Sequence, residues 1–74
     1  MSRRGAALDM IEYERSQQDF KFGTGDNSNE RWLVILMEEV GEVAKAMLEG
    51  SGPDVLEELV QVAAVALAWL EHRV

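Results

Sequence analysis

Apolar residues in the second half of the chain recur every three or four residues, which is the spacing of one face of an α-helix. Between residues 29 and 48 this row consists of Leu33, Leu36, Met37, Val40, Ala44 and Met47. Ser28 or Asn29 can cap the helix, and Glu30 suits its positive N-terminal end. No alternation typical of β-strands occurs, so the pattern predicts an all-α fold.

Two further helices are predicted on either side of this one. The first runs from about Ala6 to Phe22 and carries only a thin apolar stripe. The third runs from about Pro53 to Arg73, with Pro53 in the first turn, where a proline is tolerated. Glycine-rich stretches at residues 23–29 and 50–53 separate the three helices.

The third helix is apolar nearly all round, since eleven of the twelve residues from Leu59 to Leu70 are apolar and the exception is Gln61. The short connection before it predicts that helices two and three form an antiparallel hairpin. Two partner helices in a chain of 74 residues cannot easily cover such a helix. We therefore expect oligomerisation, as a homodimer or homotetramer, to complete a four-helix-type bundle. The alternative is a monomer with an exposed apolar patch.

Composition narrows the possible partners and location. The net charge is −7, and the seven basic residues form no stripe, so nucleic-acid binding is not expected. Leu59–Leu70 is too short to span a bilayer, and no apolar signal segment follows Arg3 and Arg4. The absence of cysteine fits a reducing compartment. We expect one cytoplasmic domain, residues 1–74, with a flexible N-terminal end at residues 1–5 and no membrane partner.

An acidic pattern occurs twice, as "EEVGEVAKA" from Glu38 and as "EELVQVAAV" from Glu57. Gln61 stands in the second copy where Glu42 stands in the first. In each copy, the three polar residues lie within an arc of about 100° on the helix. An antiparallel hairpin would then direct five carboxylates and one amide towards a shared cleft: Glu38, Glu39, Glu42, Glu57, Glu58 and Gln61.

Carboxylates that face one another repel, so this arrangement favours a bound divalent cation. Mg²⁺, or alternatively Mn²⁺, takes oxygen ligands of this kind. The alternative is that these glutamates are merely solvated on the helix surface. His72, near the chain end, is expected to be solvated, and Trp69 to lie in the core or at a dimer interface.

The two acidic motifs resemble those of the MazG-like group of all-α nucleoside triphosphate pyrophosphohydrolases. Their pattern is E-E-x-x-E followed by E-x-x-D, and the residues that match it are Glu38, Glu39, Glu42 and Glu58. Gln61 stands where the family usually has aspartate. The stretch "ERSQQDFKFG", Glu14–Gly23, is similar to E-R-x-x-Q-D-x-K-W-G in a subgroup found in phages and mobile cassettes, with Phe22 in place of the tryptophan. The resemblance extends over roughly Ile11–Glu71 and includes Trp32 and the "AWLE" that ends at Glu71.

The resemblance implies Mg²⁺-dependent hydrolysis of a (deoxy)nucleoside triphosphate to the monophosphate and pyrophosphate. It implies that the metal ligands are Glu39, Glu42 and Glu58, with Gln61 as a weaker ligand or as the holder of a water molecule. Glu38 would orient or activate the attacking water; the alternative is a salt-bridged or solvated glutamate.

The same resemblance suggests residues that bind the substrate. Lys21 would meet a phosphate, or be an ordinary surface lysine, and Lys45 would either do likewise or pair with Glu49. Phe22 and Trp32 would stack on the base or belong to the core. Gln18 and Asp19 would hydrogen-bond the base or fix the loop after helix one.

Two other functions stay open because Gln61 replaces the usual aspartate. The chain could be a non-catalytic nucleotide-binding or metal-binding helical oligomer. It could also be a purely structural helical oligomer.

Overall fold

The computed structural model describes residues 2–74, and its three helices are α1 (Arg3–Phe22), α2 (Asn29–Leu48) and α3 (Gly52–Glu71). No strand occurs within these residues, so the prediction of an all-α fold is confirmed. The bounds of α2 and α3 lie within two residues of those predicted. None of the three helices is both long enough and apolar enough to cross a membrane.

A serine caps the N-terminus of each helix. The side chain of Ser2 accepts a hydrogen bond from the backbone N–H of Gly5, at 2.9 Å, and α1 therefore begins at Arg3, three residues earlier than expected. The N-terminal segment predicted to be flexible is thus helical from Arg3 onwards, and Met1 lies outside the described residues. Ser28 and Ser51 cap α2 and α3 in the same way.

α3 lies between the other two helices. It packs against both α1 and α2, whereas α1 and α2 have no close backbone contact with each other. The indole N–H of Trp69, near the end of α3, donates to Asn29 at the start of α2, at 2.9 Å, so the α2–α3 pair is antiparallel. The core lies between α2 and α3, where Trp32, Val65 and Ala68 pack together. The space between α1 and α2 stays open above α3.

Much of the apolar surface of the single chain remains exposed. Four members of the apolar row predicted for α2 are 40–63% exposed, namely Leu33, Met37, Val40 and Met47. By contrast, Leu36 of the same row is half-buried and packs with Trp32 on the face of α2 that meets α3. α3 likewise leaves Leu56, Leu59 and Leu70 more than half exposed. α2 therefore has two apolar faces, of which the chain covers only one.

Candidate functional site

Glu39 lies half-buried on α2, and its carboxylate is surrounded by negative charge. Burial raises the pKa of Glu39 above its ordinary value, and the neighbouring carboxylates of Glu58, Glu42, Glu38 and Glu14 raise it further. Burial acts in this direction because it removes the water that would solvate the charged form, and like charges act in the same direction. Glu39 is therefore the electrostatic centre of an acidic cluster, which we define as these five glutamates.

All three helices contribute to the acidic cluster. α2 supplies three of its members and α3 supplies Glu58, so the structure brings together the four glutamates of the two sequence motifs. Glu57, the other carboxylate expected in the shared cleft, is exposed and is not among the charges that act on Glu39. α3 therefore contributes one glutamate to the cluster, whereas the repeated motif predicts two.

Glu14 of α1 is a member that the sequence analysis did not assign to the site. It lies four residues before Gln18, and residues four apart share one face of a helix. Because Gln18 is a predicted site residue, this spacing is the sequence signal that points to Glu14. The rotation of α1 against α3, which turns this face towards Glu39, depends on contacts between distant parts of the chain.

Gln61 is half-buried and its side chain faces another polar group. The amide Nε2 of Gln18 donates to Oε1 of Gln61 at 3.4 Å, which is long for a hydrogen bond. Both amides line the same pocket as Glu39. The Gln61 amide, inside the apolar run of α3, therefore lies in the wall of this pocket and accepts a hydrogen bond from Gln18 of α1.

A pocket of about 400 Å³ opens between α1, the loop of residues 23–28 and the inner faces of α2 and α3. This volume lies within the range of small-molecule sites. The pocket brings together six of the predicted site residues: Gln18, Asp19, Phe22, Trp32, Glu39 and Gln61. The other predicted residues, Lys21, Glu38, Glu42, Lys45 and Glu58, do not form part of its wall. Both lysines are exposed in the last turns of their helices.

Aromatic side chains line the same pocket as Glu39. Trp32 is only 7% exposed and packs in the core, while it also contributes to the pocket wall. Phe22 is 81% exposed and lines the pocket too, so its ring is accessible to a ligand. The imidazole of His72 lies against Trp32, with ring centroids 5.7 Å apart. His72 is partly buried here, so the expectation that it is solvated is wrong.

Arg15 anchors α1 beside the pocket. Its guanidinium donates two hydrogen bonds to the carboxylate of Glu71, at 2.8 and 3.0 Å, and pairs with Asp19 at 2.9 Å. The bond to Glu71 is the main cause that raises the pKa of Arg15, and the same bond lowers the pKa of Glu71. Arg15 is buried, and the sequence analysis did not single it out beyond the stretch Glu14–Gly23. Asp19 is thereby held in the pocket wall.

The acidic cluster suits a hard cation in the kind of donor it offers. Carboxylate and amide oxygens are ligands that Mg²⁺ accepts, and Mg²⁺ usually keeps several of its waters. The pKa of Glu39 is raised first by burial and then by the neighbouring carboxylates, and a cation would offset the second of these causes. Among residues 2–74, however, no three Asp, Glu or His side chains are grouped so that they could hold a metal ion. The acidic cluster therefore fits Mg²⁺ in the type of its donor atoms and in its charge, but its side chains are not arranged around a common metal position.

No protein-family model, curated protein or solved structure matches this chain. What the structure itself shows is three helices around a pocket whose wall contains Glu39, the amides of Gln18 and Gln61, and the aromatic rings of Phe22 and Trp32.

Proposed function

We propose that this protein is a Mg²⁺-dependent nucleoside triphosphate pyrophosphohydrolase. One observation carries the proposal: half-buried Glu39 lies among carboxylates from three helices and lines a pocket that aromatic side chains also line. A nucleoside triphosphate has the matching two-part chemistry, since its phosphates need a cation next to carboxylates and the flat faces of its base stack on aromatic rings. The resemblance of "EEVGE" and "EELVQ" to the MazG-like motifs supports the same reaction.

In this proposal Glu39, Glu42 and Glu58 would hold the cation, and Gln61 would offer a neutral oxygen or hold a water. When bound, Mg²⁺ polarises phosphoryl oxygens and orients the triphosphate. Glu38, which is exposed on α2, would orient the attacking water or accept its proton. Hydrolysis breaks the bond between the α- and β-phosphates, and the elements of water divide between the monophosphate and pyrophosphate.

The remaining pocket residues bind the nucleoside. Phe22 presents an exposed ring that can stack on a base. Gln18 and Asp19 offer an amide and a carboxylate for the polar edges of the base or sugar. Trp32 supports this wall from the core. Lys21 and Lys45 lie outside the wall of this single chain, so contact with phosphates requires that their flexible side chains reach inwards.

A second copy of the chain completes the fold in this proposal. The row of Leu33, Met37 and Val40 on α2 is 40–56% exposed, and three leucines of α3 are exposed to a similar extent. An apolar surface of this kind on a small domain favours association, because such domains bury too little area alone. Sedimentation should show a homodimer or homotetramer, and Met37→Glu should shift it towards monomer. A wild-type monomer at micromolar concentration would contradict this part of the proposal.

The test of the activity is pyrophosphate release from each common (deoxy)nucleoside triphosphate, with Mg²⁺ or Mn²⁺. Glu39→Gln should abolish release, since it removes the central carboxylate while it keeps the shape of the side chain. Glu12→Gln is the matched control, because Glu12 is an exposed glutamate of α1 whose carboxylate makes no ion pair among residues 2–74. Release that persists in Glu39→Gln would refute the assignment of the site.

A second candidate is a nucleotide-binding or metal-binding oligomer without catalysis. One observation favours it: the neutral Gln61 stands where the resembling family usually has aspartate. This candidate predicts that a triphosphate with Mg²⁺ raises the melting temperature while no pyrophosphate appears. A purely structural oligomer predicts neither effect.

A further inference from the structure

The loop between α1 and α2 forms one wall of the pocket and has little to hold it in place by itself. Gly23, Thr24, Gly25 and Asn27 all line the pocket. Gly23 has φ of 78°, and a Cβ at Gly25 would meet no atom within 4 Å. Inside the loop, the backbone N–H of Asn27 donates to the Asp26 carboxylate at 2.7 Å. A loop with two glycines and so few internal contacts needs an outside support to keep one position.

Arg73, just beyond the end of α3, provides this support. Its Nη1 donates to Oδ2 of Asp26, its Nη2 to the backbone carbonyl of Asn27 and its Nε to Oδ1 of Asn29, each at 2.8 Å. All three guanidinium nitrogens are thus used on the loop and on the first residue of α2. Only arginine offers several donors in one rigid plane for such a set of acceptors.

Two tryptophans donate to the same two side chains, Asp26 and Asn29. The indole N–H of Trp32 donates to Oδ1 of Asp26, and that of Trp69 donates to Oδ1 of Asn29, each at 2.9 Å. The Trp32 hydrogen bond and then the Arg73 hydrogen bond lower the pKa of Asp26 to about 2, so the carboxylate stays charged. Because Trp32 packs in the core, these contacts connect the loop to the hydrophobic interior.

We propose that Arg73 is a positioning residue of the pocket: it holds the loop of residues 23–28 where that loop forms the wall against a bound nucleotide. The identity of the ligand rests on the proposed function, whereas the contacts of Arg73 do not. If the loop is held beforehand, the ligand does not have to order it on binding. Loss of Arg73 should therefore weaken nucleotide binding and leave the acidic cluster on the helices unchanged.

The expected effect is on KM rather than on kcat. Arg73→Met removes hydrogen bonds to a charged group in a partly exposed place, and we expect KM to rise by about tenfold. The value of kcat should stay within about twofold, because the Arg73 side chain hydrogen-bonds Asp26, Asn27 and Asn29 and none of the five glutamates of the acidic cluster. Arg73→Lys keeps the charge but not the planar set of donors, so KM should lie between those of wild type and Arg73→Met.

The test combines kinetics with the indole N–H signals of the two tryptophans in NMR spectra. The substrate is the deoxynucleoside triphosphate that gives most pyrophosphate with wild type, in Mg²⁺. Arg73→Met should shift the signals of both Trp32 and Trp69, because their acceptors lose a second donor. Arg31→Met is the control, since Arg31 is exposed near the loop and its side chain makes no ion pair within residues 2–74. Circular dichroism checks that every variant is folded.

The outcomes separate this proposal from the proposed function. A raised KM with shifted indole signals, partly restored by Arg73→Lys, supports the role of Arg73. Shifted signals with an unchanged KM would reduce Arg73 to a structural contact and overturn the proposal, as would unchanged signals. If wild type releases no pyrophosphate, the Kd of a non-hydrolysable triphosphate analogue replaces KM. No release and no binding by wild type would refute the proposed function itself.

Discussion

Replacing Glu39 by glutamine should stabilise the metal-free protein and remove most of its stabilisation by Mg²⁺. In the folded chain the half-buried Glu39 carboxylate faces the charges of Glu14, Glu38, Glu42 and Glu58. Glutamine has almost the same shape as glutamate and carries no charge. The substitution therefore removes repulsion without leaving a cavity.

The size of this effect follows from the number of neighbours. A pair of like charges one helical turn apart costs roughly 0.2–0.5 kcal/mol. Of the four carboxylates that act on Glu39, only Glu42 is one turn away on the same helix, while Glu58 and Glu14 act from the other two helices. With this range as the scale for each neighbour, neutralisation should raise the free energy of unfolding at pH 7 by about 1 kcal/mol. In a domain of this size, each kcal/mol corresponds to about 4–8 °C in Tm.

The pH dependence gives an independent check with a definite sign. The pKa of Glu39 in the folded state lies above its ordinary value of 4.5, so the folded state holds more protons between the two values. The free energy of unfolding should therefore fall as pH rises from about 4.5 through the folded-state pKa, and stay at the lower level above it. Glu39→Gln should lack this decrease.

The assay is thermal unfolding followed by circular dichroism at one protein concentration, in MgCl₂ or in NaCl of the same ionic strength. A site with Kd of about 1 mM would gain about 1.4 kcal/mol at about 10 mM Mg²⁺. Wild type and the Glu12→Gln control should show this gain, and Glu39→Gln should not. A lower Tm of Glu39→Gln without metal, or an equal gain from Mg²⁺, would refute the reasoning.

Three further substitutions test other parts of the structure. Gln61→Asp should raise the affinity for Mg²⁺ in calorimetric titration, because ligand charge strengthens binding; unchanged affinity would remove Gln61 from the site. Arg15→Met should lower the free energy of unfolding in urea by about 1–2 kcal/mol, since two hydrogen bonds to the partly exposed Glu71 are lost; no change would mean that this pair does not anchor α1. The pKa of Asp26 is about 2 in the folded state against an ordinary 3.8, so its charged form stabilises the fold above pH 3.8, and this stabilisation is lost as pH falls towards 2. Asp26→Asn should flatten acid unfolding in this range, and an unaltered acid transition would contradict the contribution of Asp26.

The helices could be predicted closely because their ends depend on neighbouring residues. Ser28 and Ser51 cap α2 and α3, and Gly50 takes the positive φ that ends the turn between them. The start of α1 was placed too late, because Arg3, Arg4 and Gly5 show no apolar periodicity. The Ser2 cap extends the helix through them all the same.

The burial of each helix face could not be predicted in the same way. Periodicity identifies an apolar row but not the element that covers it. On α2 the predicted row divides, because Leu36 lies in a covered row with Trp32 whereas Met37 and Val40 lie in an open row. Both rows satisfy the helical spacing, so the pattern alone cannot decide between a partner within the chain and a second copy.

The parts of the site that sequence reasoning missed are those that depend on the placement of α1. This helix has a weak apolar stripe, and its polar contacts with α3 run through Arg15 to Glu71 and through Gln18 to Gln61. Such contacts join residues more than 40 positions apart and leave no periodic trace. They nevertheless direct Glu14 towards the acidic cluster. The geometry of the proposed site is therefore set by polar contacts at its own edge as much as by the apolar core, and substitutions at this edge should alter ligand binding before they unfold the chain.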